Sequence, residues 1–422
     1  SGAPAPGRWR ALLLLGLLAA SAPVLAAVDP QAVMKASCAG CHAADGEGNW
    51  SRIGDQRKTP EGWQMTLVRM ESVHKAKIVD PNGGDSAAAT RALVKYLSDT
   101  QGLAPAESAP YRYILERELN TIEESSSPQF AEMCARCHTG ARVGLQRRSE
   151  DEWRHLVHFH LGQFPTTEYQ MMGRDRDWRG QAFNDMVPYL AQNFPLDSAA
   201  WRQWQARPAS DLAGGWRVFG HMPGQGAFSG LMTAEAAAGD RYTLAFEGSF
   251  INGETLSGTG SAIVYTGYEW RASLTLGERR YRQVLAASPE GSELTGRIFD
   301  RDHNERGLRM RAVRDTGKPR LLAVQPRALP AGGEAQLRLV GNALAGDIDL
   351  GEGVSVVEVL SREPGEIVLR AAAAADAAEG ARDVSVGGSS IGDGLVVHGE
   401  IDRLAVEPPY AIARVGGDGG SQ

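Results

Sequence analysis

The sequence has no long run of lysine or arginine, and after residue 27 it has no apolar stretch long enough to cross a bilayer. The first absence, together with a net charge of −7, argues against a nucleic-acid partner, because binding phosphates needs a basic patch. From the second we expect no membrane span in the mature chain. Cysteine is also scarce, with four residues in 422, and their placement carries the first chemical signal.

The first 27 residues are typical of a secretory signal peptide. A basic start is followed by a short apolar run and then by small residues at the expected cleavage point, after Ala26 or Ala27. A membrane anchor is the alternative, but spanning needs about 20 apolar residues and Pro23 interrupts the run. We therefore expect an exported protein that is soluble in the periplasm.

The four cysteines form two motifs of the same form, Cys38-Ala-Gly-Cys41-His42 and Cys134-Ala-Arg-Cys137-His138. This is the spacing of haem c attachment. Two thiols must add to the two vinyl groups of one porphyrin, and the next imidazole must reach the iron. We predict two covalently bound haems c, with thioether links at Cys38, Cys41, Cys134 and Cys137 and proximal iron ligands at His42 and His138.

Three other interpretations of the cysteine pairs explain less. A disulfide gives no reason for a histidine after both pairs. A structural zinc site usually draws on closely spaced cysteines, whereas these pairs lie about 90 residues apart. A thioredoxin-like motif needs a βαβ setting, which neither pair has.

Both motifs belong to a repeated unit. The segments Thr59-Pro-Glu-Gly-Trp63 and Ser149-Glu-Asp-Glu-Trp153 begin like helices, with Thr59 or Ser149 as N-cap and Pro60 in the first turn. Each unit ends in a similar helix, around Tyr96 or Tyr189. We predict a helical dihaem cytochrome c domain over residues 28–200, with units at 28–105 and 110–200.

The repeat also indicates where the distal iron ligands lie. Aligning Trp63 with Trp153 places Met70 opposite His160, and each shares a helical face with its tryptophan. We predict Met70 for the first haem and His160 for the second. A methionine on an apolar face is otherwise core, and isolated histidines otherwise lie at the surface. Further candidates for the same role are Met65, His74, His155, His158, Met171 and Met172.

The C-terminal half consists of short alternating segments separated by glycine. We predict an antiparallel β-barrel over residues 205–315, with a sandwich as the alternative, and an immunoglobulin-like β-sandwich over 318–400. Residues 401–422 resemble the start of a second, truncated immunoglobulin-like domain. The low-complexity segment 371–377 is expected to be a loop or short helical turn. The fold class is thus multidomain, helical and then all-β, and the scattered histidines of this half form no catalytic set.

In its order of parts the sequence resembles the α subunit of quinohemoprotein amine dehydrogenase. The resemblance rests on the signal peptide, both cysteine motifs, the Thr59-Pro-Glu-Gly-Trp63 element and the domain order. It implies a heterotrimer with a β-propeller subunit and a small subunit that holds a cysteine tryptophylquinone. There the quinone oxidises a primary amine to an aldehyde and ammonia. The haems of this chain would carry the electrons to a soluble blue copper protein or cytochrome c, and no catalytic residue of the amine chemistry would lie here.

Two other functions remain open on the sequence alone. The chain could be a stand-alone exported dihaem cytochrome c whose β domains dock it to a partner. A dihaem peroxidase is the third hypothesis, and it requires one open haem site.

The predicted ligands lead to a spectroscopic test. Low-temperature magnetic circular dichroism of the oxidised protein should show one His–Met and one His–His centre, and the His–Met haem should have the higher reduction potential. Two identical bis-histidine centres would remove Met70 as a ligand.

Overall fold

The computed structural model of the chain describes residues 28–403 except 47, 119, 126, 165–176 and 223. The predicted signal peptide and the segment 404–422 lie outside the described residues. A helical N-terminal region is followed by a β-barrel and then by two further sheets, so the predicted order of helical and β parts is confirmed.

The first helical unit has its core where α3 packs against α1 and α2. As predicted, Thr59 is the N-cap of α2, since its hydroxyl accepts a hydrogen bond from the Gly62 amide, and Pro60 follows it. Trp63 and Leu93 are among its fully buried side chains. The elements of this unit are α1 (Pro30–Cys38), β1 (Gln56–Lys58), α2 (Pro60–Ser72) and α3 (Ser86–Thr100).

The second unit repeats this plan with shorter closing helices. Ser149 caps α7 by accepting a hydrogen bond from the Glu152 amide, as predicted. A 3-10 helix (Ala109–Ile114) and a π-helical turn (Ala182–Met186) complete the unit. Its other elements are α4 (Pro105–Ser108), α5 (Pro128–Met133), α6 (Ala141–Gly144), β2 (Gln146–Arg148), α7 (Glu150–Gln163), α8 (Trp178–Gln181), α9 (Val187–Asn193) and α10 (Ala199–Gln205).

The two units are joined by the antiparallel pair β1–β2, in which Arg57 lies opposite Arg147. The equivalent tryptophans make equivalent hydrogen bonds: the Trp63 indole donates to the Gln101 carbonyl at 3.0 Å, and the Trp153 indole donates to the Phe194 carbonyl at 3.3 Å. The units are therefore related by an approximate twofold axis that passes through the β1–β2 pair.

A buried carboxylate lies on this axis. Glu107 binds Arg57 through two hydrogen bonds of 2.9 Å and contacts the Arg147 guanidinium at 3.3 Å. Burial alone would raise the pKa of the Glu107 carboxyl, but the bonds and charges of Arg57 and Arg147 outweigh it and hold the pKa below its usual value. The three side chains are all buried, so they form one desolvated charge cluster.

Residues 214–314 form a closed barrel of eight antiparallel strands, which confirms the predicted β-barrel. Each strand pairs with the next one in the chain, and β10 closes the barrel on β3. Large aromatic side chains, including Trp216, Phe228 and Trp270, fill its interior. The strands are β3 (Gly214–Met222), β4 (Gly226–Ala237), β5 (Arg241–Phe250), β6 (Thr255–Tyr265), β7 (Glu269–Leu276), β8 (Arg279–Ala287), β9 (Glu293–Asp300) and β10 (Gly307–Arg314).

The barrel contacts both helical units. Arg271 of β7 donates to the Glu61 carboxylate at the start of α2, with an N–O distance of 2.6 Å. The hydroxyls of Tyr268 and Ser108 lie 2.7 Å apart in a buried contact at the end of α4. Further bonds join Thr266 to Ser98 and Arg309 to Glu118, so the helical region is fixed to the barrel at several points.

Two four-stranded sheets follow the barrel and share one hydrophobic core. The predicted loop or helical turn at 371–377 is wrong for residues 371–373, which end strand β16 with Ala371 and Ala373 buried in that core. The first sheet contains β11 (Arg320–Gln325), β13 (Glu334–Asn342), β16 (Glu366–Ala373) and β15 (Val354–Glu363); the second contains β12 (Ala328–Pro330), β18 (Ser389–His398), β17 (Gly380–Val386) and β14 (Ile348–Asp349).

The Glu107 cluster predicts a large effect on stability. Glu107→Gln should lower the free energy of unfolding by about 3–5 kcal/mol at neutral pH, because it leaves two buried guanidiniums without their counter-charge. Urea denaturation of the full chain, followed by the helical circular dichroism signal, measures this change.

The pH dependence of stability and a control variant at the surface complete the test of Glu107→Gln. Because the Glu107 pKa is lower in the folded state, its contribution is present above the unfolded pKa of about 4.3 and is lost as the pH falls through the folded value. The gap between wild type and variant should therefore shrink in acid. Glu150→Gln, which removes an exposed ion pair with Arg154, should cost less than about 1 kcal/mol. Equal losses in both variants would contradict the assignment.

Candidate functional site

The first cysteine motif forms a tight turn at the end of α1. The backbone amides of Cys41 and His42 both donate to the Cys38 carbonyl, at 3.1 and 3.0 Å. This turn brings two thiols and an imidazole to one place, as attachment to a single porphyrin requires. Cys38 is partly buried, Cys41 is exposed, and both are free thiols.

The second motif follows α5 in the same way. The Cys134 amide donates to the Phe130 carbonyl at 2.8 Å and ends the helix, and Cys134 and Cys137 are again free thiols. Burial raises the pKa of the Cys134 thiol to about 12. Within the described part of the chain, no group of three or more His, Cys, Asp or Glu side chains is placed to hold a metal ion.

The two motif histidines have the same hydrogen-bonding state. The His42 Nδ1 lies 2.8 Å from the Ser51 carbonyl oxygen, and the His138 Nδ1 lies 3.0 Å from that of Thr139. A carbonyl only accepts, so each Nδ1 carries the proton and donates. The Nε2 lone pair of each ring is then free to bind a metal, which is the usual arrangement of a metal-ligating histidine.

The structure brings His160 of α7 next to His138. The two ring centres are 6.5 Å apart, and His160 Nδ1 donates to the Leu156 carbonyl at 2.8 Å. An imidazole nitrogen binds a first-row metal at about 2 Å, so two rings on opposite sides of one metal have their centres roughly 6 to 7 Å apart. Burial lowers the pKa of His160, which favours the neutral ring that binds metals.

The other candidates for a distal iron ligand differ in burial and in their contacts. Met70 is half-buried near the end of α2, and no hydrogen bond among the described residues joins it to His42. Met65 and His74 are exposed. His155 is exposed and contacts Glu152, and His158 is exposed with its ring against Phe183. Met171 and Met172 lie outside the described residues.

An arginine cluster between the two units is absent from the sequence-based prediction. It consists of Arg52, Arg69, Arg142 and Arg148 around Glu152. Arg52 contacts the Glu152 carboxylate at 2.6 Å and Arg148 contacts it at 3.4 Å.

The sequence feature that could have predicted this cluster is a longer repeat. Residues 52–59 read Arg-Ile-Gly-Asp-Gln-Arg-Lys-Thr, and residues 142–149 read Arg-Val-Gly-Leu-Gln-Arg-Arg-Ser. The two segments share four identical residues, two of them arginines, and both run directly into the helix that carries the tryptophan.

Three consecutive stretches of the chain match known families. Residues 28–201 match the family described as quinohemoprotein amine dehydrogenase A, alpha subunit, haem binding. Residues 209–315 and 318–399 match domains II and III of the same alpha subunit. No curated protein matches the chain.

Solved structures resemble the chain only weakly. A redesigned β-barrel, mFAP1, bound to DFHBI, is 21% identical with a TM-score of 0.21, over 24% of this chain and 91% of that one. The Bacteroides ovatus glucan-utilisation protein SGBP-B, in complex with a mixed-linkage heptasaccharide, is 14% identical with a TM-score of 0.17, over 46% of this chain and 67% of that one. At such scores neither resemblance bears on fold or function.

The His138–His160 pair leads to a direct test. His160→Ala should open one coordination position, so that one haem becomes high-spin and binds carbon monoxide when reduced, as absorbance spectra would show. His155→Ala, which truncates an exposed histidine of the same helix, should leave the spectrum unchanged. A spectral change in His155→Ala alone would transfer the ligand role to His155.

Proposed function

The chain belongs to the family of quinohemoprotein amine dehydrogenase alpha subunits, and on that basis we propose that it is the dihaem electron-transfer subunit of such an enzyme. It would carry electrons from a tryptophylquinone on another subunit to a soluble blue copper protein or cytochrome c. The observation that carries the proposal is the repeated motif: each has two free thiols and an imidazole whose Nε2 is available to a metal.

The residues of both motifs fit a covalently attached haem. Cys38 and Cys41, and likewise Cys134 and Cys137, would form the thioether links, while His42 and His138 would bind iron. His160 would complete the second site and Met70 the first. Haem, when bound, supplies one-electron oxidation and reduction, which no side chain of the protein provides by itself.

The protein's own contribution is to hold these groups in place. Trp63 and Trp153 tie α2 and α7 to the ends of their closing helices, and these two helices carry the proposed distal ligands. The helices meet where the Arg69 guanidinium lies over the Phe159 ring, 4.8 Å from its centre. Because residues 70 and 160 directly follow this contact, the two proposed iron ligands lie on neighbouring helices, one from each unit.

The amine chemistry is assigned to a partner subunit. There a quinone would oxidise a primary amine, with water, to an aldehyde and ammonia, releasing two electrons and two protons. The proposed complex is a heterotrimer with a β-propeller subunit and a small quinone-bearing subunit in the periplasm, reached through a signal peptide at residues 1–27. The two facing sheets after the barrel would be an immunoglobulin-like sandwich, whose role with the barrel is docking.

Within the part of the chain that the structure describes, no helix is long and apolar enough to span a membrane.

Mass spectrometry and purification test the proposal. Chain produced in a host that matures c-type cytochromes should carry the added mass of two haems, and Cys134→Ser/Cys137→Ser should carry one. Purification from the native host should also yield a β-propeller subunit and a small cross-linked subunit. Adding a primary amine to that complex should reduce the haems. A colourless chain would refute the haem assignment. A red protein that purifies alone would instead support the stand-alone cytochrome.

A further inference from the structure

The arginine cluster has more positive than negative charge. Of its four guanidiniums, those of Arg52 and Arg148 pair with Glu152, and within the described residues no other carboxylate forms an ion pair with any of the four. Arg148 and Glu152 are only 4% and 3% exposed. A guanidinium does not deprotonate in proteins, so the excess charge is permanent. Arg52 and Arg142 are exposed, so water solvates their charge, whereas Arg148 is buried and Arg69 is half-buried. A partly desolvated guanidinium is costly unless it is paired, so a further anion beside Arg69 and Arg148 would be stabilising.

Arg69 packs against an aromatic ring of the second helical unit. Its guanidinium contacts the face of the Phe159 ring, and no carboxylate of the described residues pairs with it. The side chain is half-buried, so one side of it remains open to a ligand.

The approximate twofold axis relates the residues of the cluster in pairs and shows which position lacks a carboxylate. Arg52 is equivalent to Arg142, and Lys58 to Arg148, by the 90-residue offset between Trp63 and Trp153. Lys58 and Arg148 also make equivalent contacts, each over the ring of its own tryptophan at 5.0 and 5.6 Å.

The anionic position itself does not follow this symmetry. Glu152 corresponds to Gly62 in the first unit. A side chain at position 62 would begin 2.9 Å from the Lys58 Cβ, so no carboxylate can replace that glycine without movement. The protein therefore has a carboxylate at only one of the two equivalent positions.

The cluster also lies beside the proposed iron ligands. Arg69 directly precedes Met70, and Phe159 directly precedes His160. A porphyrin bound at either site brings carboxylates on the edge away from its thioether links, so suitable anions would arrive with the cofactor.

We propose that Arg69 and Arg148 bind the carboxylates of the attached porphyrins, and that these carboxylates neutralise the arginine cluster between the two units. The inference rests on the proposed dihaem function. A guanidinium suits this role because it forms two parallel hydrogen bonds to one carboxylate. Its positive charge also stabilises the reduced state of a nearby haem and so raises the reduction potential.

Two variants of the full, haem-loaded chain test the proposal, with Arg202→Gln as the matched control because Arg202 is 60% exposed on α10. Arg69→Gln and Arg148→Gln should shift the porphyrin-carboxylate bending mode in resonance Raman spectra and lower at least one reduction potential. Arg148→Lys keeps the charge but loses the two-pronged geometry. It should therefore shift the Raman mode while recovering most of the potential. The control should match wild type in both measurements.

The outcomes separate this inference from the proposed function. If wild type carries no haem, the proposed function fails. If wild type carries two haems and Arg69→Gln matches it in both the Raman mode and the potentials, the inference is overturned and the proposed function stands. Arg69→Gln is decisive even if Arg148→Gln does not fold, because Arg69 has no carboxylate partner among the described residues whose loss would destabilise the protein.

Discussion

The helical region depends on one buried carboxylate, Glu107, which binds the two arginines that face each other at the centre of the β1–β2 pair. Without it, Arg57 and Arg147 would repel each other in a desolvated interior. Arg57 also donates to the Gly102 and Leu196 carbonyls, so the segments after both closing helices are drawn to the same point. The tryptophans of α2 and α7 hydrogen-bond just before these segments. The placement of the proposed distal ligands therefore follows from this cluster.

The β half holds the helical region in place. Its barrel has no free edge, its interior is filled by aromatic side chains, and it contacts the helical region through Arg271 and Tyr268. The barrel is fixed at the start of α2 and so holds that helix, which carries the proposed ligand Met70 near its end. This agrees with an alpha subunit whose proposed task is to position redox centres while a partner subunit reacts with the amine.

Patterns among neighbouring residues predicted the helix caps and the strands. They did not predict contacts between segments that are distant in the sequence. The caps at Thr59 and Ser149 and the alternating strands of the barrel are encoded by neighbouring residues, and both were confirmed. The alanines at 371–373 were misassigned because their composition favours helix or loop, whereas a tight sheet core selects them for small size. The choice of His160 over His155 depends on which face of α7 meets His138. The arginine cluster depends on the pairing of segments 90 residues apart, which periodicity does not reveal.

The approximate twofold axis has a consequence for how such a protein can evolve. In a symmetric dimer of one unit, every substitution at the interface appears twice, so residues on the axis must tolerate their own copies. Here the equivalent positions 69 and 159 meet as arginine against phenylalanine, and positions 62 and 152 have diverged to glycine and glutamate. Two copies within one polypeptide are released from that restriction, so the two proposed haem sites are free to diverge in electrochemical character.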